Sequence, residues 1–229
     1  MQSLRHGYTN DTRGDGSVVV KRYEGPDQVV RHRTEQAMLT HLSHHLPVPR
    51  LVRTTDAALH MEHVAGVHGQ ELIDAGQATR VLRSCGEMLR RIQSVAVPTP
   101  FPEGSVLLEG SVPADAVLVH GDYGPNNMLF DPDTFDVTAV LDWEWAHAGD
   151  IVEDLAWCEW IVRTHHSPDV AALDELFAAY GHRPSWTERQ DAMLAKCRAM
   201  LALVERGDQA RAGVRRWQQR IAVTLSWTE

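Results

Sequence analysis

From residue 17 the chain reads Ser-Val-Val-Val-Lys-Arg-Tyr, three β-branched apolar residues closed by a basic pair, straight after Gly14-Asp15-Gly16. A short apolar run behind a glycine turn predicts a buried strand. Gly25-Pro26-Asp27 opens a helical stretch through about Leu42, with Val30, Ala37, Met38 and Leu42 as its apolar positions. Pro47-Val48-Pro49 breaks it, and 51–54 and 58–62 read as two strands around a Thr55-Asp56 turn. Beyond Gly66 and Gly69 the texture changes. Helical spacing runs over 77–97, with Val81, Leu82, Cys85, Leu89 and Ile92 on one side. A link with Pro98, Pro100, Pro102 and Pro113 follows, then a short apolar segment at 116–120. Segments 128–130 and 137–141 flank Asp131-Pro132-Asp133 and predict a hairpin. From Asp150 onward the pattern is helical. It predicts two lobes: a small strand-rich one with a single helix over 1–63, and a larger helical one over 64–229, hinged near Glu62–Gly66.

Composition narrows the class. With 229 residues, 43% of them hydrophobic and 23% charged, the chain can bury a core without disulfide or metal staples. No apolar run approaches the roughly 20 residues that span a bilayer, and the first ten residues lack a signal-peptide stretch. Cys85, Cys158 and Cys197 are odd in number and far apart, which suits thiols in a reducing cytoplasm. The net charge of −9 is unevenly spread: 131–180 holds twelve acids and one base, Arg163. That argues against nucleic acid, which needs Lys/Arg stripes, and suits metal ions and cationic small molecules. The bases are skewed too, with only two lysines, Lys21 and Lys196, beside 20 arginines.

The densest chemistry lies in His120-Gly121-Asp122-Tyr123-Gly124-Pro125-Asn126-Asn127, an irregular loop just before a strand. Pairing the hairpin about the centre of its turn places Asn127 opposite Asp142, where a carboxylate and an amide oxygen can share a hard cation such as Mg²⁺. Asp122, in the same loop, is free to face a substrate hydroxyl.

That loop, followed by Val140-Leu141-Asp142-Trp143-Glu144-Trp145 and by Gly149-Asp150, resembles the catalytic core of the aminoglycoside phosphotransferase family. The group is similar to choline kinases and more distantly to protein kinases. The resemblance covers about residues 5–165. It implies an α+β, two-lobed, protein-kinase-like fold and an ATP- and Mg²⁺-dependent transfer of phosphate to a small-molecule hydroxyl. Antibiotic inactivation is one role within that family.

By the same resemblance, Asp122 steers the acceptor hydroxyl and takes its proton, and Asn127 and Asp142 hold Mg²⁺. Lys21, paired with Glu35, binds the α- and β-phosphates. Met61-Glu62-His63-Val64 is the hinge, where the Glu62 C=O and Val64 N–H meet adenine. His120 braces the loop, and Asp150 caps the helix after it. Trp143, Glu144, Glu153 and Trp157 are expected to form an acid- and tryptophan-lined acceptor wall, which points to a cationic or amino-bearing acceptor. The Gly7–Asp11 segment stands where the phosphate-covering loop belongs, and the short link between Val97 and Val117 implies an open, shallow pocket. The expected state is a cytoplasmic monomer or homodimer with no nucleic-acid or membrane partner. The alternatives are a choline- or ethanolamine-type kinase, whose tryptophans would face one cavity at right angles, and a catalytically silent nucleotide-binding protein.

Overall fold

A computed structural model describes residues 2–3, 10–99, 101, 115–207 and 210–229. Most of the Gly7–Asp11 segment and of the link before Val117 lies outside the described residues. The chain opens with strands β1 (Gln2–Ser3), β2 (Asp11–Gly14) and β3 (Val18–Arg22), helix α1 (Gln28–Leu42), and strands β4 (Leu51–Thr55) and β5 (Ala58–Glu62). The strands form one antiparallel sheet in the order β1-β2-β3-β5-β4. β3 is central, so Val20 and Lys21 are both buried, at 2% and 5% exposure.

The remaining elements are β6 (Val67–His68), α2 (Gly69–Asp74), α3 (Ala78–Gln93), β7 (Val117–Val119), β8 (Met128–Phe130), β9 (Val137–Val140), β10 (His147–Gly149), α4 (Val152–His165), α5 (Leu173–Tyr180), α6 (Trp186–Glu205) and α7 (Ala210–Ser226). The stripe Val81, Leu82, Cys85, Leu89 and Ile92 of α3 is fully buried. Gly86 lets α3 approach α5 closely, since a Cβ there would lie 2.3 Å from the Leu176 carbonyl oxygen. One apolar core runs from Tyr23, Met38 and Leu59 through α3 to Leu155 and Phe177. A second, around Trp157, Trp160, Met193 and Trp217, joins α4 to α6 and α7. The small sheet lobe with its helix, set on a helical lobe, is the expected two-lobed α+β architecture. Cys85, Cys158 and Cys197 are buried free thiols. Among the described residues, no helix is long and apolar enough to cross a membrane.

Two short ladders position the chemistry. β7 pairs with β10, Val119 opposite His147. β8 pairs with β9, around a turn in which Asp131 Oδ1 accepts the Asp133 and Thr134 N–H groups. The register shifts between Leu129 and Phe130, then sets Met128 opposite Val140, and the Leu141 N–H donates to the Asn127 carbonyl at 2.8 Å. Asn127 therefore meets Leu141, a correction of one residue to the expected pairing with Asp142. Asp142 falls past the ladder with φ 69°, a left-handed conformation rarely held without local compensation.

Candidate active site

A cavity of about 340 Å³ lies between the sheet and the β8–β9 hairpin, lined by Lys21, Glu35, Met61, Glu62, Val64, Asn127 and Asp142 among others. All the residues expected to meet nucleotide and metal thus face one cleft. Lys21 Nζ lies 2.6 Å from Glu35 Oε2 and 3.5 Å from Glu144 Oε2, and it also contacts Asp142 Oδ1. Tyr23 donates its hydroxyl to Glu35 Oε2 at 2.6 Å. Burial pushes the Lys21 ammonium towards neutrality, but Asp142, Glu144 and Glu35 outweigh it and hold the charge well above the usual range. Oxygens of Glu35, Asp142 and Glu144 lie within 4.8 Å of one another. Hard carboxylate oxygens so grouped fit Mg²⁺, with Lys21 now balancing their charge.

The loop at Asp122 is clamped from behind. Asp154 of α4 accepts the His120 N–H at 2.6 Å and the Gly121 N–H at 3.0 Å. Burial pushes its carboxyl up to about 6, while the two N–H bonds pull it back. Gly121 has φ 81°, and a Cβ there would sit 2.3 Å from the Trp145 carbonyl oxygen, so only glycine fits. The Asp122 N–H donates to His120 Nδ1 at 3.1 Å, which leaves Nε2 as the donor to the Leu141 carbonyl at 2.8 Å. His120 is thus a neutral brace, and burial lowers its pKa from 6.5 to about 4.

Protonation would destroy the Nδ1 acceptor, so the folded state refuses a proton that the unfolded chain takes. Stability from this site is complete above pH 6.5 and is lost as pH falls towards 4, by about 3 kcal/mol. His120→Gln, which retains a donor towards Leu141, should flatten the acid limb of the urea midpoint plotted against pH. An unchanged slope would put the acid sensitivity elsewhere.

Asp122 is held by two donors: Trp157 Nε1 to Oδ1 at 2.8 Å and Asn127 Nδ2 to Oδ2 at 2.9 Å. Burial raises its pKa, while Lys196 and the Trp157 bond oppose the rise. With the Asn127 nitrogen spent on Asp122, the amide oxygen is the atom left for a cation.

Two of the four residues expected in an acceptor wall, Trp143 and Glu144, lie in the interior. Trp143 is fully buried, donates to the Val140 carbonyl at 3.0 Å and packs 4.5 Å from the His120 ring. Glu144, at 2% exposure, is taken by Asn10 Nδ2 at 2.9 Å and Arg31 at 3.1 Å, beside Lys21. The three-residue 3₁₀ turn at Trp143–Trp145 turns both into the interior. Glu153 and Trp157 line a second cavity of about 170 Å³. Trp157 and Trp160 stack in parallel, 4.4 Å apart at 5°, and with Trp143 in the core they make no right-angled box. The Asp150 carboxylate accepts the Val152 N–H at the start of α4, as a cap would.

Sequence reasoning missed Asp154, Arg31 and Lys196. Asp154 carried a signal, lying four residues past Asp150 in the recognised motif. Lys196 carried one as well, as the second of two lysines in an arginine-rich chain.

A model of the phosphotransferase enzyme family matches residues 2–106 and 105–194. No curated protein is recognisably similar in sequence. Among solved structures, the chain is similar to an APH(2'') protein in complex with GDP and kanamycin, at 14% identity and TM-score 0.71, covering 98% of this chain and 92% of that one. It is similar to aminoglycoside phosphotransferase APH(3'')-Id from Streptomyces rimosus, at 19% identity and TM-score 0.61, covering 81% and 87%. It is also similar to macrolide 2'-phosphotransferase MphH from Brachybacterium faecium, at 20% identity and TM-score 0.57, covering 97% and 94%.

Proposed function

The chain belongs to the phosphotransferase enzyme family, and from that premise we propose that it moves the γ-phosphoryl group of ATP onto a hydroxyl of a small molecule. Residues 1–63 serve as the nucleotide lobe and 64–229 as the catalytic lobe. One observation carries this reading: Asp122 is bonded to Asn127, which shares a cleft with Asp142, Lys21 and Glu35. Lys21, held by Glu35, meets the α- and β-phosphates. The Glu62 carbonyl and Val64 N–H meet adenine. Asp142 and the Asn127 amide oxygen hold Mg²⁺, which when bound neutralises charge on the β- and γ-phosphates. The acceptor oxygen bonds to the γ-phosphorus as the bond to the β-phosphate oxygen breaks, and the hydroxyl proton passes to Asp122. Positioning and charge neutralisation are most of what a loose phosphoryl transition state needs.

Structural neighbours bound to kanamycin or gentamicin favour an amino-bearing acceptor. Of the two acids expected in the wall, Glu153 is the one left open to such a group, its side chain 39% exposed. ADP release should depend on Mg²⁺ and rise when an accepted hydroxyl compound is added, with a phosphorylated product by mass. Tight ATP binding with no acceptor-stimulated turnover across aminoglycosides, amino sugars, amino alcohols and hydroxy acids would instead mark a silent nucleotide-binding protein.

A further inference from the structure

Arg31 of α1 is buried, and its guanidinium is spread over four separate parts of the chain. Nε donates to the Pro26 carbonyl at 3.1 Å, and Nη2 donates to the Glu24 carbonyl. Nη1 reaches Asn10 Oδ1 at 3.2 Å and Glu144 Oε2 at 3.1 Å. Asn10, just before β2, donates Nδ2 to both oxygens of the same Glu144 carboxylate, at 3.1 and 2.9 Å. Sheet, helix and 3₁₀ turn therefore meet on one buried acid. A buried charge is costly unless its bonds are made, and here they are made from fixed directions. Only a planar fork can serve so many acceptors at once; an ammonium at this place would leave several of them bare.

The contacts close a ring. Arg31 and Glu35 stand one turn apart on α1, and Glu144 follows Asp142 by two residues. Lys21 bridges Glu35 and Asp142. The ring crosses from the sheet lobe to the helical lobe at Lys21, and again at Arg31 and Asn10. The crossing at Lys21 uses groups that nucleotide and metal would claim, the ammonium for phosphate and Asp142 for the cation. The crossing at Arg31 and Asn10 uses neither. Asp142 itself sits at φ 69° between the end of β9 and the anchored Glu144, so any slack in Glu144 becomes slack in Asp142. A further tie joins Arg206, at the end of α6, to Asp27 at 2.6 Å, but its arginine is 54% exposed, where ion pairs contribute little.

We propose that Arg31 and Asn10 are positioning residues: by docking Glu144 onto the sheet lobe, they keep Asp142 in register with Lys21 once nucleotide draws that pair apart. The proposal deepens the phosphotransferase reading and rests on it. ATP held by Lys21 and the backbone at Glu62 and Val64 needs nothing from this joint. A cation held by Asp142 against the same phosphates does need it. The joint therefore carries part of the coupling between Mg²⁺ and ATP.

The test uses Arg31→Lys, which keeps the charge and loses the fork, and Asn10→Ala, which leaves Arg31 in place. ATP is titrated by calorimetry with Mg²⁺ and with a chelator, well below the melting midpoint of each protein. In Arg31→Lys the gain in ATP affinity from Mg²⁺ should shrink by about tenfold, the scale of one charge-assisted hydrogen bond, with metal-free affinity nearly unchanged. Asn10→Ala should move the gain in the same direction by a smaller factor. Arg206→Met should leave it as in the wild type. Equal losses with and without Mg²⁺ would overturn the proposal, because general loosening of the fold produces them. The same shrinkage in Arg206→Met would overturn it too. A second readout needs no ligand. Amide hydrogen exchange in the free protein should quicken over 141–146 in Arg31→Lys as well as over 24–31, although Arg31 and Glu144 lie 113 residues apart. Quickening confined to 24–31 would make Arg31 a local staple of the helix start and overturn the proposal. If Mg²⁺ adds nothing to ATP binding by the wild type, the phosphotransferase reading fails, and exchange over 141–146 alone decides whether the joint exists.

Discussion

Asp122→Asn is expected to lower kcat by about 10²–10⁴-fold, the range for losing a general base, with ATP affinity nearly unchanged. The carboxylate sits in a loop whose geometry is set elsewhere: Asp154 holds the loop backbone, and His120 Nδ1 takes the Asp122 N–H. Nucleotide contacts lie on other residues of the cleft, so ATP binding has no reason to change. Both carboxylate oxygens accept from donors, Trp157 Nε1 on one and Asn127 Nδ2 on the other. An amide at this position offers one oxygen and one NH₂, so whichever way it turns, one donor meets another donor. The variant therefore loses proton acceptance and a clean orientation together. Steady-state kinetics with a true acceptor, beside ATP titration by calorimetry, separates the outcomes. Normal turnover would remove Asp122 from the chemistry. Lost ATP affinity would make it a metal ligand and exchange its role with that of Asn127.

Local pattern carried the parts that local physics decides. The Val18–Val20 run with its glycine turn, the α3 stripe and the turn at Asp131 each express a period or a backbone preference, and each appears close to its expected bounds. The irregular backbone of the Asp122 loop was legible for the same reason, since a glycine- and asparagine-rich stretch ahead of a strand is itself a local signal. What stayed hidden depends on distant partners. Glu144 reads as part of an acceptor wall, yet Arg31 and Asn10, 113 and 134 residues away, draw it into the interior. Trp143 and Trp157 are alike in sequence. One fills the core and the other orients Asp122, because a 3₁₀ turn at 143–145 and a helix at 152–165 point them differently. The three residues of β10 gain order only by pairing with β7, about 30 residues earlier in the chain. The one-residue error at Asn127 has the same origin, for register is settled by packing across the hairpin as well as by its turn.

Lys21→Met should change the stability of the nucleotide cleft as well as catalysis. The substitution keeps an unbranched stem in the central strand and removes the ammonium that stands among three carboxylates. Oxygens of Glu35, Asp142 and Glu144 lie within 4.8 Å of one another, and Arg31 then serves Glu144 alone. Removing one partner from a buried ion pair costs about 3–5 kcal/mol, since the remaining charges stay desolvated. Part of that cost is relieved by proton uptake. Burial already pushes the Glu144 carboxyl up to about 7, and without Lys21 it should rise further, so the stability this group contributes is present at low pH and is lost as pH rises through its folded-state value. The wild type should show a smaller loss, because Lys21, charged far above neutrality, opposes the burial that pushes the Glu144 carboxyl up to about 7. Mg²⁺ should stabilise the variant more than the wild type, as a divalent cation takes over the balance of the same oxygens. With ATP present, kcat should fall by about 10²–10³-fold, the scale for removing one preorganised donor from developing phosphate charge. Thermal melts across pH, with and without Mg²⁺, and steady-state kinetics read these effects separately. Unchanged kinetics would free Lys21 of the phosphate role. A melt indifferent to both pH and Mg²⁺ would show that the three carboxylates do not act as one charged site.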